Sequence, residues 1–315
     1  MAEKPEVNEA MAGVPKTPQE INEQDVVVSA PSTLKTVIRE FKQDKVATVA
    51  LILLIVLFVV VAVWSFFIPN SKVTDVNIMD QYLQMGTSGH ILGTDEQGRD
   101  LLLMLIASAK NSLFIALMIT IIGQVFGIIF GMITGYFGGI VDTIIMRIID
   151  FWTVLPFMMI IIVLVSIVSK YNIWTLIGII GLFSWQGTTR LIRSKVLSES
   201  DRDYVRASKT SGSSNVMIMF REVLPNLSSI IIVDSTLTFA GNIGIETTLS
   251  FLGFGLPNGT PSLGTMISAA TDPTVLVSKA YVWVPAAVFI IVITVGISFV
   301  GQVLRRAFDA RQRLG

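Results

Sequence analysis

Residues 46–68 read VATVALILLIVLFVVVAVWSFFI, 23 residues in which only Thr48 and Ser65 are polar and none is charged. A helix of that length crosses about 30 Å of hydrocarbon, and in lipid a helix satisfies its own backbone hydrogen bonds. Trp64, Phe66 and Phe67 close the run as an aromatic interfacial belt. The stretch predicts a transmembrane helix, and the rest of the chain repeats the pattern. Five further spans are predicted: 112–137; 144–168, interrupted by Pro156; 173–192, with Gln186 and Arg190 near its end; 227–252; and 282–304, which carries no charge. The fold class is therefore an all-α polytopic membrane protein with six transmembrane helices, five of them in a core over 112–304.

Composition agrees. The chain of 315 residues is 52% apolar and 15% charged, against roughly 25% charged in soluble domains. Lys and Arg balance Asp and Glu at 23 each, so no concentrated basic surface exists to neutralise nucleic-acid phosphates. The absence of cysteine excludes disulfides, thiolate zinc sites and cysteine nucleophiles. A lone histidine, His90, argues against an imidazole metal cage, and no nucleophile–base set stands out. Neither a metal site nor a catalytic residue is expected.

Residues 1–30 are rich in Glu, Pro, Asn and Gln and predict a flexible tail. Over 31–45, Ser32 can cap a helix that places Leu34, Val37, Ile38 and Phe41 on one face and Lys35, Arg39, Lys42 and Lys45 elsewhere. That amphipathic pattern predicts an interfacial helix on the bilayer surface. With both termini inside, 18 of the 23 Lys and Arg fall in inside segments; Lys72, Arg99, Lys110, Lys170 and Lys279 do not. The bias sets an N-in, C-in orientation. Residues 69–111 then form an outer loop, 193–225 a long cytoplasmic loop and 305–315 a cytoplasmic tail.

Three features within the spans bear on mechanism. Gly123, Gly127, Gly131 and Gly135 recur every four residues and predict a helix-packing stripe. Asp234, Thr238, Asn242 and Glu246 do the same and form a polar ridge about 18 Å long at 1.5 Å per residue. Intramembrane acids are costly and face a bundle interior or a wet path, so the ridge is a candidate lining of a translocation route. Arg147 and Asp150, three apart, are expected to pair.

The 193–225 loop is the informative soluble segment. Ser198 or Ser200 can cap a short helix carrying Tyr204, Gly212 breaks it, and a second amphipathic stretch runs to Pro225 at the first turn of the next span. A helix, a glycine turn and a helix lying along the membrane can dock in a groove of a soluble partner.

This loop resembles that of bacterial ABC importer permeases, whose signature is Glu-Ala-Ala, three residues, Gly, nine residues, then Ile-x-Leu-Pro. Here Arg206-Ala207-Ser208, Gly212 and Glu222-Val223-Leu224-Pro225 keep the spacing; Arg206 and Glu222 replace the Glu and Ile. Residues 89–100, GHILGTDEQGRD, are similar to a segment of dipeptide/oligopeptide permeases, as are 246–257, ETTLSFLGFGLP, and 260–264, TPSLG. The N-terminal extension and lone first span look like the second, C-type, subunit. The resemblance implies a type I ABC importer permease in the bacterial plasma membrane, moving peptides. It further implies a B-type permease partner, two cytoplasmic ATPases carrying ATP and Mg, and an extracellular substrate-binding lipoprotein. Tyr204, Arg206, Ala207, Ser208, Gly212, Leu224 and Pro225 are then the ATPase-coupling residues. No phosphate-binding loop of the GxxxxGK[ST] type occurs in this chain, so no cofactor is expected on it. Two alternatives stand beside peptide import: nickel or metallophore uptake by a permease of the same family, and an ion-coupled secondary transporter using Asp234 and Glu246. Within the outer segment, a metal site of His90, Asp95 and Asp100 is the weaker reading beside a packing loop.

Overall fold

The computed structural model describes residues 33–67, 70–87, 89–168, 171–257 and 259–312. The expected tail over 1–30, the Ser32 cap, Lys170 and residues 313–315 lie outside them. The described elements are helical: α1 (Thr33–Gln43), α2 (Lys45–Phe67), α3 (Asn70–Thr74), α4 (Leu101–Phe137), α5 (Gly139–Val154), α6 (Phe157–Ile167), α7 (Ile173–Phe183), α8 (Gln186–Ser200), α9 (Asp203–Thr210), α10 (Asn215–Ile218), α11 (Leu224–Phe251), α12 (Leu263–Ser268), α13 (Pro273–Ser278) and α14 (Ala280–Gln312).

Four helical stretches among the described residues are long and apolar enough to cross a membrane: Lys45–Phe67, Leu101–Phe137, Asn215–Phe251 and Ala280–Phe308. The expected third span is not one straight helix. α5 and α6 meet at 84°, because Pro156 has no amide hydrogen to donate and disfavours helical geometry at Leu155. The pair makes a fifth crossing if it is one bent span. The expected fourth span is the eleven-residue apolar α7, followed after a break at Ser184 and Trp185 by the polar α8.

Two further boundaries move. The expected outer loop 69–111 ends early, since α4 begins at Leu101 under Asp100, whose Oδ1 accepts from the amides of Leu102 (2.8 Å) and Leu103 (3.0 Å). The expected tail from 305 continues α14 to Gln312. Around α4 the bundle is ordered by contact: α8, α11 and α7 pack on it, and α14 packs on α11 and α2. The amphipathic α1 lies against α14, with Thr36 buried. Between α1 and α2, Asp44 accepts from the Ala47 amide (3.1 Å) and pairs with Arg306. The amide bond and the guanidinium hold its carboxyl below the usual range.

The α4–α8 contact shows why glycine stands at four positions. A Cβ at Gly123 would lie 2.6 Å from Ser184 Oγ, at Gly127 2.6 Å from Thr188 Cβ, at Gly131 2.6 Å from Ile192 Cβ, and at Gly135 2.6 Å from Val196 Cβ. Two stripes of period four therefore interlock, one of glycine and one of small or β-branched residues. Close backbone approach of this kind gives van der Waals packing where lipid supplies no hydrophobic drive.

Candidate functional site: coupling loop and polar ridge

The loop after α8 builds a small core of its own. Val205 on α9, Ile218 on α10, and Met219 and Val223 in a π-helical stretch (Met219–Val223) are buried with Met132, Ile192, Val196 and Leu227. Neither Ser198 nor Ser200 caps the short helix as expected, because α8 runs through both to Ser200; Arg202 precedes α9 without a side-chain cap. Gly212 turns the chain at φ +84°, and a Cβ there would touch nothing within 4 Å. Its requirement for glycine is thus conformational. Beyond it the helix is continuous from Asn215 to Phe251, with Leu224 and Pro225 inside it.

Polar bonds fix the loop. Ser208 Oγ donates to Glu222 Oε1, so the acid that departs from the family's pattern ties α9 to the stretch before α11. Tyr204 Oη donates to Glu199 Oε1 (2.9 Å) and accepts from Asn226 Nδ2 (3.0 Å). Burial pushes its phenol pKa up. Tyr136, at the end of α4, donates to Asn215 Oδ1 (3.1 Å), and Lys209 Nζ sits 4.6 Å from its ring centroid. Facing outward are Arg206, its side chain 68% exposed and 3.9 Å from Asp201, and Ala207, together with the apolar Val216, Met217 and Phe220.

On α11 the ridge meets α4 and α8. Asp234 Oδ2 accepts from Gln124 Nε2 (2.7 Å) and Thr188 Oγ1 (2.8 Å). Asn242, 3% exposed, donates to Thr120 Oγ1 (2.9 Å). Glu246, fully buried, accepts from Ser250 Oγ (2.7 Å), while Thr238 is half-buried. The segment after α11 folds back over Ser250, bringing Gly255, Gly264 and the buried Ser262 against it. Leu263 N donates to Ser112 Oγ (3.0 Å) and Asn111 Nδ2 to the Pro261 carbonyl (2.8 Å), closing that segment onto α4. Within the chain, then, Asn242 ties α11 to α4, and Glu246, bonded to Ser250 one turn on, is enclosed beside Ser112 and Ser262; neither faces open space.

The expected Arg147–Asp150 pair forms, and a closer partner joins it. Asp150 lies 4.0 Å from Arg147 but 2.8 Å from Arg190 of α8, which is its closer partner. Arg193 of α8 binds Asp142 of α5 through two bonds (2.5 and 2.6 Å), a pair that hydropathy does not signal. In the outer segment His90 Nδ1 sits 2.7 Å from Asp100 Oδ2, whereas Asp95 is engaged by Arg99 Nε (2.7 Å). The histidine thus braces the residue that caps α4, and the three side chains do not converge on one point.

Residues 127–314 match the family described as binding-protein-dependent transport system inner membrane component. The chain is 56% identical over 281 residues to the oligopeptide transport system permease protein OppC of Lactococcus lactis, covering 89% of this chain and 96% of that one. It is 34% identical over 297 residues to the dipeptide transport system permease protein DppC of Bacillus subtilis, covering 94% and 92%. With a di/tripeptide transport system permease of Pseudomonas aeruginosa it shares 34% over 288 residues, 89% of this chain and 93% of the relative.

Proposed function

The chain belongs to the family of binding-protein-dependent transport system inner membrane components, multi-pass permeases of the bacterial plasma membrane, and from that premise we propose that it moves peptides inward as one of two permease subunits. Two ATPase subunits, carrying ATP and Mg, act on the loop around Gly212 from the cytoplasm, and an extracellular binding lipoprotein delivers the peptide. The observation that carries the coupling role is the loop's construction. A buried core and the Ser208–Glu222 and Tyr204–Asn226 bonds join it rigidly to α8 and α11. Its outer face meanwhile offers Arg206, Ala207, Val216, Met217 and Phe220 to a groove. Force applied at α9 therefore reaches two bundle helices as a rigid-body displacement. Leu224 and Pro225 pass it on at the start of α11. Arg206, in place of the family's Glu, calls for an acidic partner on the ATPase.

The names of the relatives concern oligopeptides, dipeptides and di/tripeptides, which favours peptides over nickel or metallophores. The ion-coupled reading is weakened because Glu246 is buried and bonded within the chain. The path-lining role belongs to Asp234 and Thr238, with Asn242 and Glu246 as fasteners.

The test uses the complete transporter reconstituted in vesicles. Gly212→Val forces a β-branched residue into left-handed geometry at a cost of about 1–3 kcal/mol. We expect peptide-stimulated ATP hydrolysis and uptake to fall about tenfold, the effect of about 1.4 kcal/mol, while the ATPases still co-purify. Wild-type uptake in that variant removes the coupling role; uptake that survives ATP depletion but collapses with the ion gradient removes the ABC reading.

A further inference from the structure

A cavity of about 830 Å³ opens between α8, the start of α9, α11 and the end of α14. Its lining carries an acid, Asp234, on α11 and, toward the loop, three cations with one acid, Glu199, among them. Asp234 lines it from the middle of α11, and Lys195, Arg202, Tyr204, Asn226 and Arg305 line it nearer the loop. Asp234 is a built acid: Gln124 and Thr188, both buried, donate to the same oxygen, Oδ2. Oδ1 makes no hydrogen bond among the described residues, although an ionised carboxylate has lone pairs on both oxygens to offer. Toward the loop, Lys195 is exposed and makes no ion pair among the described residues, whereas Arg202 lies 3.5 Å from Glu199.

From Asp234 to Asn226 is eight residues of α11, about 12 Å along the helix axis. An extended peptide covers about 3.3–3.6 Å per residue, so three to four residues span that distance. The volume lies within the about 300–1,000 Å³ typical of small-molecule sites.

We propose that this cavity is a release site for the zwitterionic backbone of a short peptide. The free amino terminus sits on Asp234 Oδ1, and the free carboxylate sits near Lys195 and Arg202. The inference rests on the peptide-import reading and deepens it, because it makes the two termini, common to all peptides, the recognised groups. Side chains would be bound loosely, which suits a site that must pass many sequences.

The chain's lack of cysteine supplies the probe. Ser229 lines the cavity, and S229C in the whole transporter, nucleotide-free in nanodiscs, can be followed by maleimide labelling of this subunit. Tetra-alanine with free termini is expected to slow labelling; N-acetyl tetra-alanine amide is not. Asp234→Asn, which keeps an oxygen for Gln124 and Thr188, is expected to raise the concentration of free peptide giving half-protection about tenfold, the loss of one charge-assisted hydrogen bond. Lys195→Gln changes only a solvated side chain and is expected to weaken protection by tetra-alanine but not the weaker protection given by tetra-alanine amide, whose amino terminus is free.

Equal protection by capped and free peptide overturns the proposal. So does absence of protection, or unchanged protection in both variants, when the same preparation drives ATP-dependent peptide uptake. If that preparation takes up no peptide with ATP, the import reading itself fails, and this inference with it.

Discussion

Replacing Gly131 with leucine is expected to abolish recovery of a monodisperse, folded subunit, because the glycine lies where α4 and α8 touch backbone to side chain. A single Cβ at this position already falls 2.6 Å from Ile192 Cβ and 2.9 Å from the Thr189 carbonyl oxygen. Neither neighbour is the loose end of a flexible chain. Ile192 is β-branched and fully buried, and the carbonyl belongs to a helix. Alanine should therefore cost about 1–3 kcal/mol by overpacking. Leucine, with three more carbons, forces the helices apart along the whole stripe, since Gly123, Gly127 and Gly135 are equally close to their partners. Detergent-solubilised protein followed by size-exclusion chromatography and thermal melting reads both effects. Gly178→Ala and Gly241→Ala are the controls: a Cβ at either position meets nothing within 4 Å, and changes within about 0.5 kcal/mol are expected. A leucine variant melting like the wild type would show that the stripe carries no packing.

The second large effect is expected at Glu246. Substitution by lysine puts a cation into a fully buried site whose neighbours are the hydroxyls of Ser250, Ser112 and Ser262, with no acid among the described residues bonded there to pair with it once the glutamate is gone. An uncompensated charge at membrane depth costs about 2.5–3.5 kcal/mol or more, and the lost Ser250 bond adds to it. The return segment carrying Gly255, Gly264 and α12 depends on that knot, so we expect loss of assembly with the partner subunits as well as a lowered melting temperature. Glu246→Gln retains an oxygen to accept from Ser250 Oγ and nearly the same volume, and is expected to assemble. An assembled, active lysine variant would mean that the knot is solvated and does not hold the return segment.

How much of this could be read from the amino acids alone differs by residue. The first span was legible because no polar group competes with its hydropathy, and α2 departs from it by one residue at each end. The glycine repeat was legible as a surface but not as a contact. Its counterpart, Ser184, Thr188, Ile192 and Val196, shares a period of four but no chemistry, so only the fold reveals it. The start of α4 was missed because Lys110, Asn111 and Ser112 interrupt the apolar run, although Asp100 before three leucines was an available cap signal. In the third span the interruption at Pro156 was legible but the 84° angle was not, because hydropathy averages across a proline that the backbone cannot ignore.

In the loop, Gly212 was legible as a break, since a left-handed turn between two short helices is a local demand, whereas the positions around it were singled out only by the resemblance. The ridge was legible as a row; the assignment of its members was not, because sequence does not say which polar residue of another helix stands opposite. Gln124 and Thr120 on α4, each four residues or fewer from a stripe glycine, were the overlooked partners. Arg190 and Arg193 were counted for orientation, yet their structural business is with Asp150 and Asp142.

α4 has 37 residues and so measures about 55 Å, nearly twice the hydrocarbon thickness. One end is seated on the Asp100–His90 brace and the other on the Tyr136 contacts with Asn215 and Lys209. Nothing inside it breaks the helix. A tilt of about 5° at either extremity displaces the other by about 5 Å over such a length, as a see-saw does. On the import reading proposed above, the arrival of cargo at one extremity and the binding of nucleotide at the other would inform each other through one piece of backbone, without a relay of side chains between them.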